Sequence, residues 1–202
     1  MAKWNKYTYT NIFKKINNLS CYWAGFIMAD GGVYKNTLRI ELDTKDRCHL
    51  EQFLKDIKSD APIRTNRTCV YIAVNSKEIV ESLRDNFNIT TKKSLTAMPP
   101  KLSNEKHIIA FITGLIDGDG SIYERGDTGI YQLGFTGTRS MCEFLKDNIE
   151  TWVPSKRGTN ARKIPKKNAF IIVFGGRLRM PKIFNKLNEV QVPRLNRKWS
   201  LV

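Results

Sequence analysis

The chain has 202 residues, enough to bury a sizeable core in one domain or in two small ones. Lys and Arg number 34 against 19 Asp and Glu, which gives a formal net charge of +15. A confined basic tail is excluded, because basic residues outnumber acidic ones both up to Pro100 (16 against 10) and after it (18 against 9), so the charge favours an extended polyanion such as nucleic acid over a merely soluble basic surface.

The N-terminal stretch, residues 1–18, is basic and aromatic, with Trp4 and Tyr7 among its rings. It predicts an arm or a short helix that either contacts backbone phosphate or packs on the helix after it. That helix is predicted by residues 23–31, an apolar run of about two turns that ends in an acid followed by glycine. We expect the helix to stop at Gly31 in the left-handed conformation, and a helix in the second half to stop at Gly120 in the same way.

The remainder of the first half predicts two hairpins, each followed by a helix. Apolar and polar residues alternate over residues 37–43, which indicates a half-buried strand after a turn at residues 35–36. Thr44 is expected to cap a helix whose apolar positions recur at helical spacing from Leu50 onward. A second hairpin near residues 63–75 and a further amphipathic helix complete the order α-β-β-α-β-β-α.

The second half repeats this order after a proline-containing linker at residues 99–104. The tetrapeptide Phe-Leu-Lys-Asp occurs at residues 53–56 and again at residues 144–147, which supports an internal repeat. We therefore expect an α+β fold of two pseudo-symmetric αββαββα repeats, residues 1–98 and 105–202. Around a pseudo-twofold axis, two such repeats join their antiparallel strands into a curved platform.

Two nonamers relate the halves most closely: Trp-Ala-Gly-Phe-Ile-Met-Ala-Asp-Gly at residues 23–31 and Ile-Thr-Gly-Leu-Ile-Asp-Gly-Asp-Gly at residues 112–120. Each places small residues four apart on one helix face, which lets two helix backbones approach closely. The predicted helix interface consists of Gly25, Ala29, Gly114 and Gly118. If the helices are parallel, Asp30 and Asp119 meet at two helix C-termini, where dipoles and carboxylates repel one another. A divalent cation or a basic partner would resolve this conflict.

The paired nonamers resemble the LAGLIDADG motif of the homing endonucleases, in the single-chain form with two motifs, and the resemblance covers nearly the whole chain. One position departs from the motif, because Met28 replaces the first acid, which Asp117 keeps in the second copy. The resemblance implies two curved antiparallel sheets that form a DNA-binding saddle on two central motif helices. It also implies a monomeric, site-specific double-stranded DNA endonuclease with a long, partly pseudo-palindromic target, which initiates homing of an intron, an intein or another mobile element.

The resemblance further implies a metal site. In that family the second acid of each motif binds metal, which here means Asp30 and Asp119. The carbonyl before each acid also contacts metal, which here means Ala29 and Gly118. Mg²⁺ is the expected cofactor, since a hard cation takes oxygen ligands, activates water and neutralises the leaving oxygen, and Mn²⁺ or Ca²⁺ can occupy the same site.

A basic residue late in each half is another feature of the family. The segments Thr-Lys-Lys-Ser-Leu at residues 91–95 and Asn-Arg-Lys-Trp-Ser-Leu at residues 196–201 close the two repeats. We assign the role to Lys93 and Lys198, whose cations would polarise water or stabilise charge on the phosphate. Their distances in sequence from the two acids differ, and simple surface solvation of either lysine is the alternative.

Many of the predicted DNA contacts lie on the polar face of the strands or in a basic hairpin at residues 156–167, because a two-stranded ribbon fits the major groove. Most of them are expected to hold phosphate rather than to read bases. They are Lys35, Arg39, Glu41, Arg64, Arg67, Tyr71, Arg125, Gln132, Arg139, Arg157, Arg162 and Lys163. We interpret Glu41 and Gln132 as repeat-equivalent, since each stands 12 residues before the phenylalanine of its tetrapeptide.

Two other functions on the same fold stay open. One is an RNA-binding maturase that assists intron splicing, and the other is a DNA-binding regulator without catalysis. Retention of Asp30 and Asp119 weighs against the regulator, because neutral residues would serve binding better at a negative junction. An EF-hand at residues 117–128 is excluded, since Ile122 stands where glycine is needed and Thr128 where glutamate is needed.

The remaining composition excludes further classes of protein. The four cysteines form no CxxC pair and the two histidines stand apart, so we expect buried free thiols rather than a zinc site or a disulfide framework. No apolar run reaches the length of a membrane span, and the first residues carry no signal-peptide pattern. The expected location is intracellular, in a bacterial or phage-infected cytoplasm or in an organelle, with no membrane partner.

Overall fold

The structure is a computed structural model that describes residues 7–91, 93–126, 128–165 and 168–200. Four predictions fall partly outside these ranges. They concern Trp4 in the N-terminal arm, Lys92 in the segment that closes the first repeat, Leu201 in the segment that closes the second, and residues 166–167 of the basic hairpin.

The first half consists of a four-stranded antiparallel sheet and its helices. The strands have the order β1-β2-β4-β3. They are β1 (Gly31–Tyr34), β2 (Thr37–Asp43), β3 (Arg64–Asn66) and β4 (Cys69–Asn75). The helices are α1 (Asn18–Asp30), α2 (Arg47–Asp56), α3 (Lys77–Phe87) and the short α4 (Lys93–Thr96), with 3-10 turns at Ile12–Lys14 and Thr44–Asp46.

The second half has the same plan, with the strand order β5-β6-β8-β7. The strands are β5 (Gly120–Glu124), β6 (Tyr131–Gly137), β7 (Arg162–Lys163) and β8 (Phe170–Phe174). The helices are α5 (Glu105–Asp119), α6 (Arg139–Trp152), α7 (Arg179–Asn188) and the short α8 (Asn196–Trp199). The α+β architecture of two αββαββα halves with antiparallel sheets is confirmed, and each half ends in a further short helix.

Each sheet buries one face and leaves the other open. On β2 the alternate residues Leu38, Ile40 and Leu42 are buried, as Val70, Ile72 and Val74 are on β4. This period of two is the pattern of a sheet that packs on helices on one side only. The open faces are therefore available for a ligand, while the inner faces form the core.

Helices α1 and α5 pack against each other through their glycines. A Cβ atom on Gly25 would lie 2.1 Å from the Phe111 carbonyl oxygen, and one on Gly114 would lie 2.0 Å from the Tyr22 carbonyl oxygen. Further along, a Cβ atom on Gly118 would lie 2.2 Å from that of Ala29. The contacts advance in the same direction on both helices, so the helices are parallel and bring their C-terminal ends together.

Two local predictions about helix ends were wrong. Gly31 and Gly120 follow the motif helices with φ of −83° and −77°, which is extended rather than left-handed backbone. Glycine is required there because a Cβ would lie within 3 Å of atoms of Ile27 or Ile116 as the chain turns directly from helix into strand. Thr44 does not cap α2 either, because it starts the 3-10 turn that precedes α2.

The predicted equivalence of Glu41 and Gln132 was also wrong. Gly31 pairs with Ile40, whereas Gly120 pairs with Phe135, and these pairs follow the two motif helices directly. The next residue, Glu41, therefore corresponds to Thr136. The segment between β6 and α6 is shorter than the segment between β2 and α2, so counting back from the second tetrapeptide by the spacing of the first reached Gln132 instead of Thr136.

The N-terminal segment packs on the protein rather than standing free over residues 7–17. Phe13 is fully buried and its ring meets the Phe87 ring edge-on, with 6.2 Å between centroids. Asn86 of α3 donates to the Phe13 carbonyl at 2.8 Å. The packing alternative is therefore observed, although the partner is mainly α3.

Two further predictions concern the whole chain. The four cysteines are free, but Cys48 is exposed and Cys69 is half-buried, so only Cys21 and Cys142 are the buried thiols that were expected. Among the helices of the described residues, none combines the length and the apolarity needed to cross a membrane.

Candidate active site and nucleic-acid interface

Asp30 and Asp119 are the last residues of α1 and α5, and the parallel packing of these helices places both at the junction of the two sheets. Both residues are exposed at the surface. Protein atoms packed around the two side chains still remove part of the water around their carboxyls, and this burial raises the pKa of both carboxyls. The negative charge of Asp30 adds to the rise in the pKa of Asp119. Two carboxylates in this position attract cations.

Lys93, at the start of α4, reaches the end of α1. Its ammonium donates to the Met28 carbonyl at 2.7 Å and to the Ala29 carbonyl at 2.6 Å, and the residue is only 8% exposed. These carbonyls belong to the last turn of α1, where backbone oxygens lack helical partners and the helix dipole is negative. The lysine therefore caps the motif helix of its own half.

Lys198, on α8, caps α5 in the same way. Its ammonium nitrogen lies 2.6 to 2.9 Å from four carbonyl oxygens, so the three N–H groups of the lysine are shared among four acceptors. The acceptors belong to Ile116, Asp117, Gly118 and Gly120. Both lysines thus occupy matching places, each against the carbonyl end of one motif helix.

The lysines and the aspartates form one electrostatic group. Burial lowers the pKa of both ammonium groups. The negative charges of Asp119 and Asp30 oppose this effect at Lys93, and Lys198 also faces Asp117. In return, both cations limit the rise in the pKa of Asp30 and Asp119. A cavity of about 320 Å³, lined by Ala29, Lys93 and Asp119 among others, opens beside this group.

The donor set fits a hard divalent cation that keeps part of its water shell. Within the described residues, no group of three His, Cys, Asp or Glu side chains could hold a metal ion. The side chains available at this site are therefore the two carboxylates of Asp30 and Asp119. Mg²⁺ is commonly held by one or two carboxylates together with water and substrate phosphate. The Ala29 and Gly118 carbonyls already accept lysine hydrogen bonds, although each oxygen has a second lone pair.

Asp117 is buried and anchors the C-terminal segment to the motif helices. Its carboxylate accepts hydrogen bonds from the Leu195 amide at 2.9 Å, from Trp199 Nε1 at 2.5 Å and from the Tyr22 hydroxyl at 2.7 Å. Burial raises the pKa of Asp117, while these hydrogen bonds favour the charged form. The first two donors flank Lys198 in the chain, so this carboxylate helps to hold Lys198 in place.

The anchor extends into the first half. The Tyr22 hydroxyl lies 2.9 Å from His49 Nε2, and His49 is 3% exposed among aromatic rings. Burial lowers the pKa of His49 to about 4, so this imidazole is neutral at physiological pH. A buried polar chain thus links α2, α1, α5 and the C-terminal segment.

The open face of the first sheet carries interacting polar side chains. The Arg39 guanidinium lies 3.9 Å from the centre of the Tyr71 ring and pairs with Glu41 at 2.5 Å. Arg64, opposite Tyr71 on β3, lies 3.4 Å from the Tyr7 hydroxyl. The structure brings these four predicted contact residues together on one surface.

The open face of the second sheet is more apolar. Gln132 pairs across β5 with Tyr123, and its side chain lies over the backbone of Gly175. Ile171 and Val173 are exposed on β8, and Arg162 lies opposite Ile171 on the edge strand β7. Only Gln132, Arg162 and Lys163 of the predicted contacts lie on these strands.

The other predicted contacts lie in connections or on a helix. Lys35 and Arg67 occupy hairpin turns with positive φ, of 51° and 53°. Arg125 and Arg157 lie in exposed connections, outside helices and strands. Arg139 begins α6 and pairs with Glu143 at 2.7 Å, one helical turn later.

Comparison with solved structures identifies the fold. The chain is similar to the LAGLIDADG homing endonuclease I-GzeII in complex with DNA target, with a TM-score of 0.64, 17% sequence identity, and coverage of 93% of this chain and 88% of the other. The chain has the LAGLIDADG homing endonuclease fold. It is also similar to I-SmaMI bound to cleaved DNA (TM-score 0.62, 13% identity, 93% and 87% covered) and to the LAGLIDADG meganuclease I-AabMI bound to uncleaved DNA (0.58, 12%, 92% and 88%). No family profile matches the sequence, and no curated protein matches it.

Sequence reasoning missed three residues of this LAGLIDADG-fold site: Tyr22, His49 and Arg194. Tyr22 directly precedes the first nonamer, and His49 is a single polar residue beside the apolar stripe of α2. Arg194 stacks on the Trp199 ring, with 4.1 Å to its centre, and donates to the Leu187 carbonyl at 2.8 Å. In the sequence, Asp117 was the one indication of these residues, because an acid inside an apolar helix requires buried hydrogen-bonding partners.

Proposed function

We propose that the protein is a site-specific endonuclease that hydrolyses one phosphodiester in each strand of double-stranded DNA, with Mg²⁺ as cofactor and as a monomer. The observation that carries the proposal is the paired arrangement of Asp30 with Asp119 and of Lys93 with Lys198 at the junction of two basic halves. Two strands require two hydrolytic events, and the pseudo-twofold arrangement supplies two sets of groups. Initiation of intron, intein or mobile-element homing is the biological role that we infer.

The carboxylates serve the chemistry rather than the fold. Bound Mg²⁺ supplies a Lewis acid that activates water and neutralises the leaving oxygen. Asp30 and Asp119 each present exposed oxygen atoms at the end of a rigid helix, so their geometry is set before substrate arrives. Their mutual repulsion favours occupation by a cation.

The lysines place fixed positive charge beside the phosphate. Each ammonium is held by backbone carbonyls, so it does not need to be ordered when DNA binds. Such preorganised charge stabilises negative charge that develops in the transition state.

The open sheet faces provide the DNA-binding surface. They extend from the motif helices, since β1 and β5 begin directly after Asp30 and Asp119. Their exposed arginines include Arg39, Arg64 and Arg162, and both halves of the chain carry net positive charge. A duplex laid across the sheets would place its phosphates near the aspartate pair. Solved structures with this fold are bound to DNA, which supports DNA as the ligand.

A library experiment tests the proposal. The full-length protein is incubated with a randomised double-stranded DNA library with Mg²⁺, with Ca²⁺ and with EDTA, and new ends are captured and sequenced. We expect one sequence family cut at a fixed position on each strand, with Mg²⁺ and not with EDTA. Binding without cleavage would support a regulator, whereas tight binding to structured intron RNA with no DNA product would support a maturase; either result would contradict the proposal.

A further inference from the structure

The open faces of the two sheets differ at equivalent positions. The strand register aligns the row Glu41, Tyr71 and Arg64 of the first sheet with the row Thr136, Ile171 and Arg162 of the second. The adjacent pair Arg39 and Ala73 aligns with Gly134 and Val173. The outer arginine is kept in both halves, but the centre of the platform changes from hydrogen-bonding to apolar side chains.

The apolar positions form a contiguous patch. Ile171 and Val173 lie two residues apart on β8 and are 36% and 37% exposed, and Tyr123 on β5 is 40% exposed. The methyl-bearing Thr136 lies opposite Ile171, while Gly134, opposite Val173, has no side chain. Scattered exposed apolar residues are ordinary, but adjacent ones on an open sheet face indicate a contact surface.

The surroundings of this patch indicate DNA as the occupant. Arg162 borders it on β7, opposite Ile171, so the rim is basic while the centre is apolar. The strand β5 that carries Tyr123 begins directly after Asp119, which places the patch on the same surface as the candidate active site. The phosphate backbone of DNA would contact the basic rim, and the edges of the bases would contact the apolar centre.

We infer that the second sheet recognises thymine methyl groups in the major groove of its half-site, through Ile171, Val173 and Thr136. Thymine alone among the bases presents a methyl group in that groove, and apolar side chains contact it. The first sheet recognises its half-site through Arg39, Glu41 and Tyr71, by hydrogen bonds. The target is therefore asymmetric in composition, with its A·T-rich half on the second repeat. This inference rests on the proposed DNA-binding function.

Replacement of thymine by uracil tests the inference without any change to the protein. Deoxyuridine keeps every hydrogen-bonding group of thymidine and lacks only the methyl group. The wild-type chain, in EDTA to prevent cleavage, is used to select binding sites from one randomised duplex library made with thymidine and from another made with deoxyuridine. We expect the uracil library to lose sequence preference in one half-site and to keep it in the other.

Individual duplexes then give the magnitude. Each contacted methyl group should change the dissociation constant about fourfold, as expected for burial of one such group. The same substitution in the other half-site is the matched control and should have little effect. The triple variant Thr136→Ser/Ile171→Ser/Val173→Ser removes the methyl groups of all three side chains, and it should bind thymine and uracil duplexes equally while its circular dichroism stays that of wild type.

Three outcomes would overturn the inference. Equal affinity for the thymine and uracil duplexes would show that methyl groups are not recognised. A methyl effect that persists in the triple variant would place the recognition elsewhere. If the wild-type chain bound neither library, both the proposed function and this inference would fail, whereas binding without methyl dependence would overturn the inference alone.

Discussion

Trp199 Nε1 donates a hydrogen bond to Asp117 Oδ1 at 2.5 Å, and this contact fixes the segment that carries Lys198 against α5. The first half has Met28 at the position of Asp117, and a methionine cannot accept hydrogen bonds of this strength. The two lysines therefore lie in matching places but are held by different means.

Replacement Asp117→Met would give the second motif the residue of the first. The Tyr22 hydroxyl, the Leu195 amide and the Trp199 indole would lose their acceptor, which should cost about 3 kcal/mol of stability. Lys198 would lose its support, so one strand should be cut more slowly than the other. Urea unfolding and strand-resolved cleavage of a doubly labelled duplex measure the two effects. Met28→Leu is the control, and equal slowing of both strands would contradict the anchoring role.

Replacement Gly25→Ala should separate the motif helices. The added Cβ would lie 2.1 Å from a backbone oxygen of α5, which no side-chain rotation relieves, and we expect a loss of about 3 kcal/mol. Gly32→Ala is the matched control, because its Cβ would meet nothing within 4 Å. Thermal melting compares them. If both variants melted at the same temperature, the close helix contact would not exist in solution.

The sequence predicted the fold through features that act locally. The nonamers carry their own small residues, so the helix pair and the placement of Asp30 and Asp119 follow from one short motif. Alternation over residues 37–43 predicted β2 over the range that it occupies. In contrast, the equivalence of Glu41 and Gln132 depended on counting across the segment between strand and helix, which is shorter in the second half.

The buried polar chain could not be predicted in the same way. Tyr22, His49 and Asp117 are 27 to 95 residues apart along the chain, and their contacts depend on how α2 and the C-terminal segment dock. Hydrogen bonds act only between groups that are close in space, so residue spacing and periodicity in the sequence do not reveal such partners. Lys93 and Lys198 were suggested only by the family resemblance, since their distances in sequence from the acids differ.

His49 should make the stability depend on pH. Its pKa is about 4 in the folded protein, against 6.5 for the free side chain, because burial outweighs the attraction of Asp46. The unfolded chain therefore binds more protons between these values, and about 3 kcal/mol of stability should be lost from pH 7 to pH 4. His49→Gln keeps a partner for Tyr22 and removes this titration. Melting curves of both proteins should diverge below pH 6.5, and parallel curves would contradict the burial of His49.

DNA binding should weaken strongly with salt. Each phosphate that a Lys or Arg contacts releases counterions, so the logarithm of the binding constant should fall with that of salt concentration by roughly 0.9 per contact. With a net charge of +15 spread over both halves, we expect a slope that corresponds to several contacts. Removal of one phosphate contact, for example by Arg162→Gln, should reduce the slope by about one unit. A slope near zero would indicate a partner other than nucleic acid.

We propose that Asp30 and Asp119 together form the cleavage centre of a DNA endonuclease. The most direct measurement compares cleavage and binding of a selected target by wild type, Asp30→Asn and Asp119→Asn in Mg²⁺. We expect each variant to lose double-strand cleavage while it binds the target as tightly as wild type or slightly more tightly, because a negative charge that faces phosphate has been removed. Double-strand cleavage at the wild-type rate by either variant would contradict this proposal.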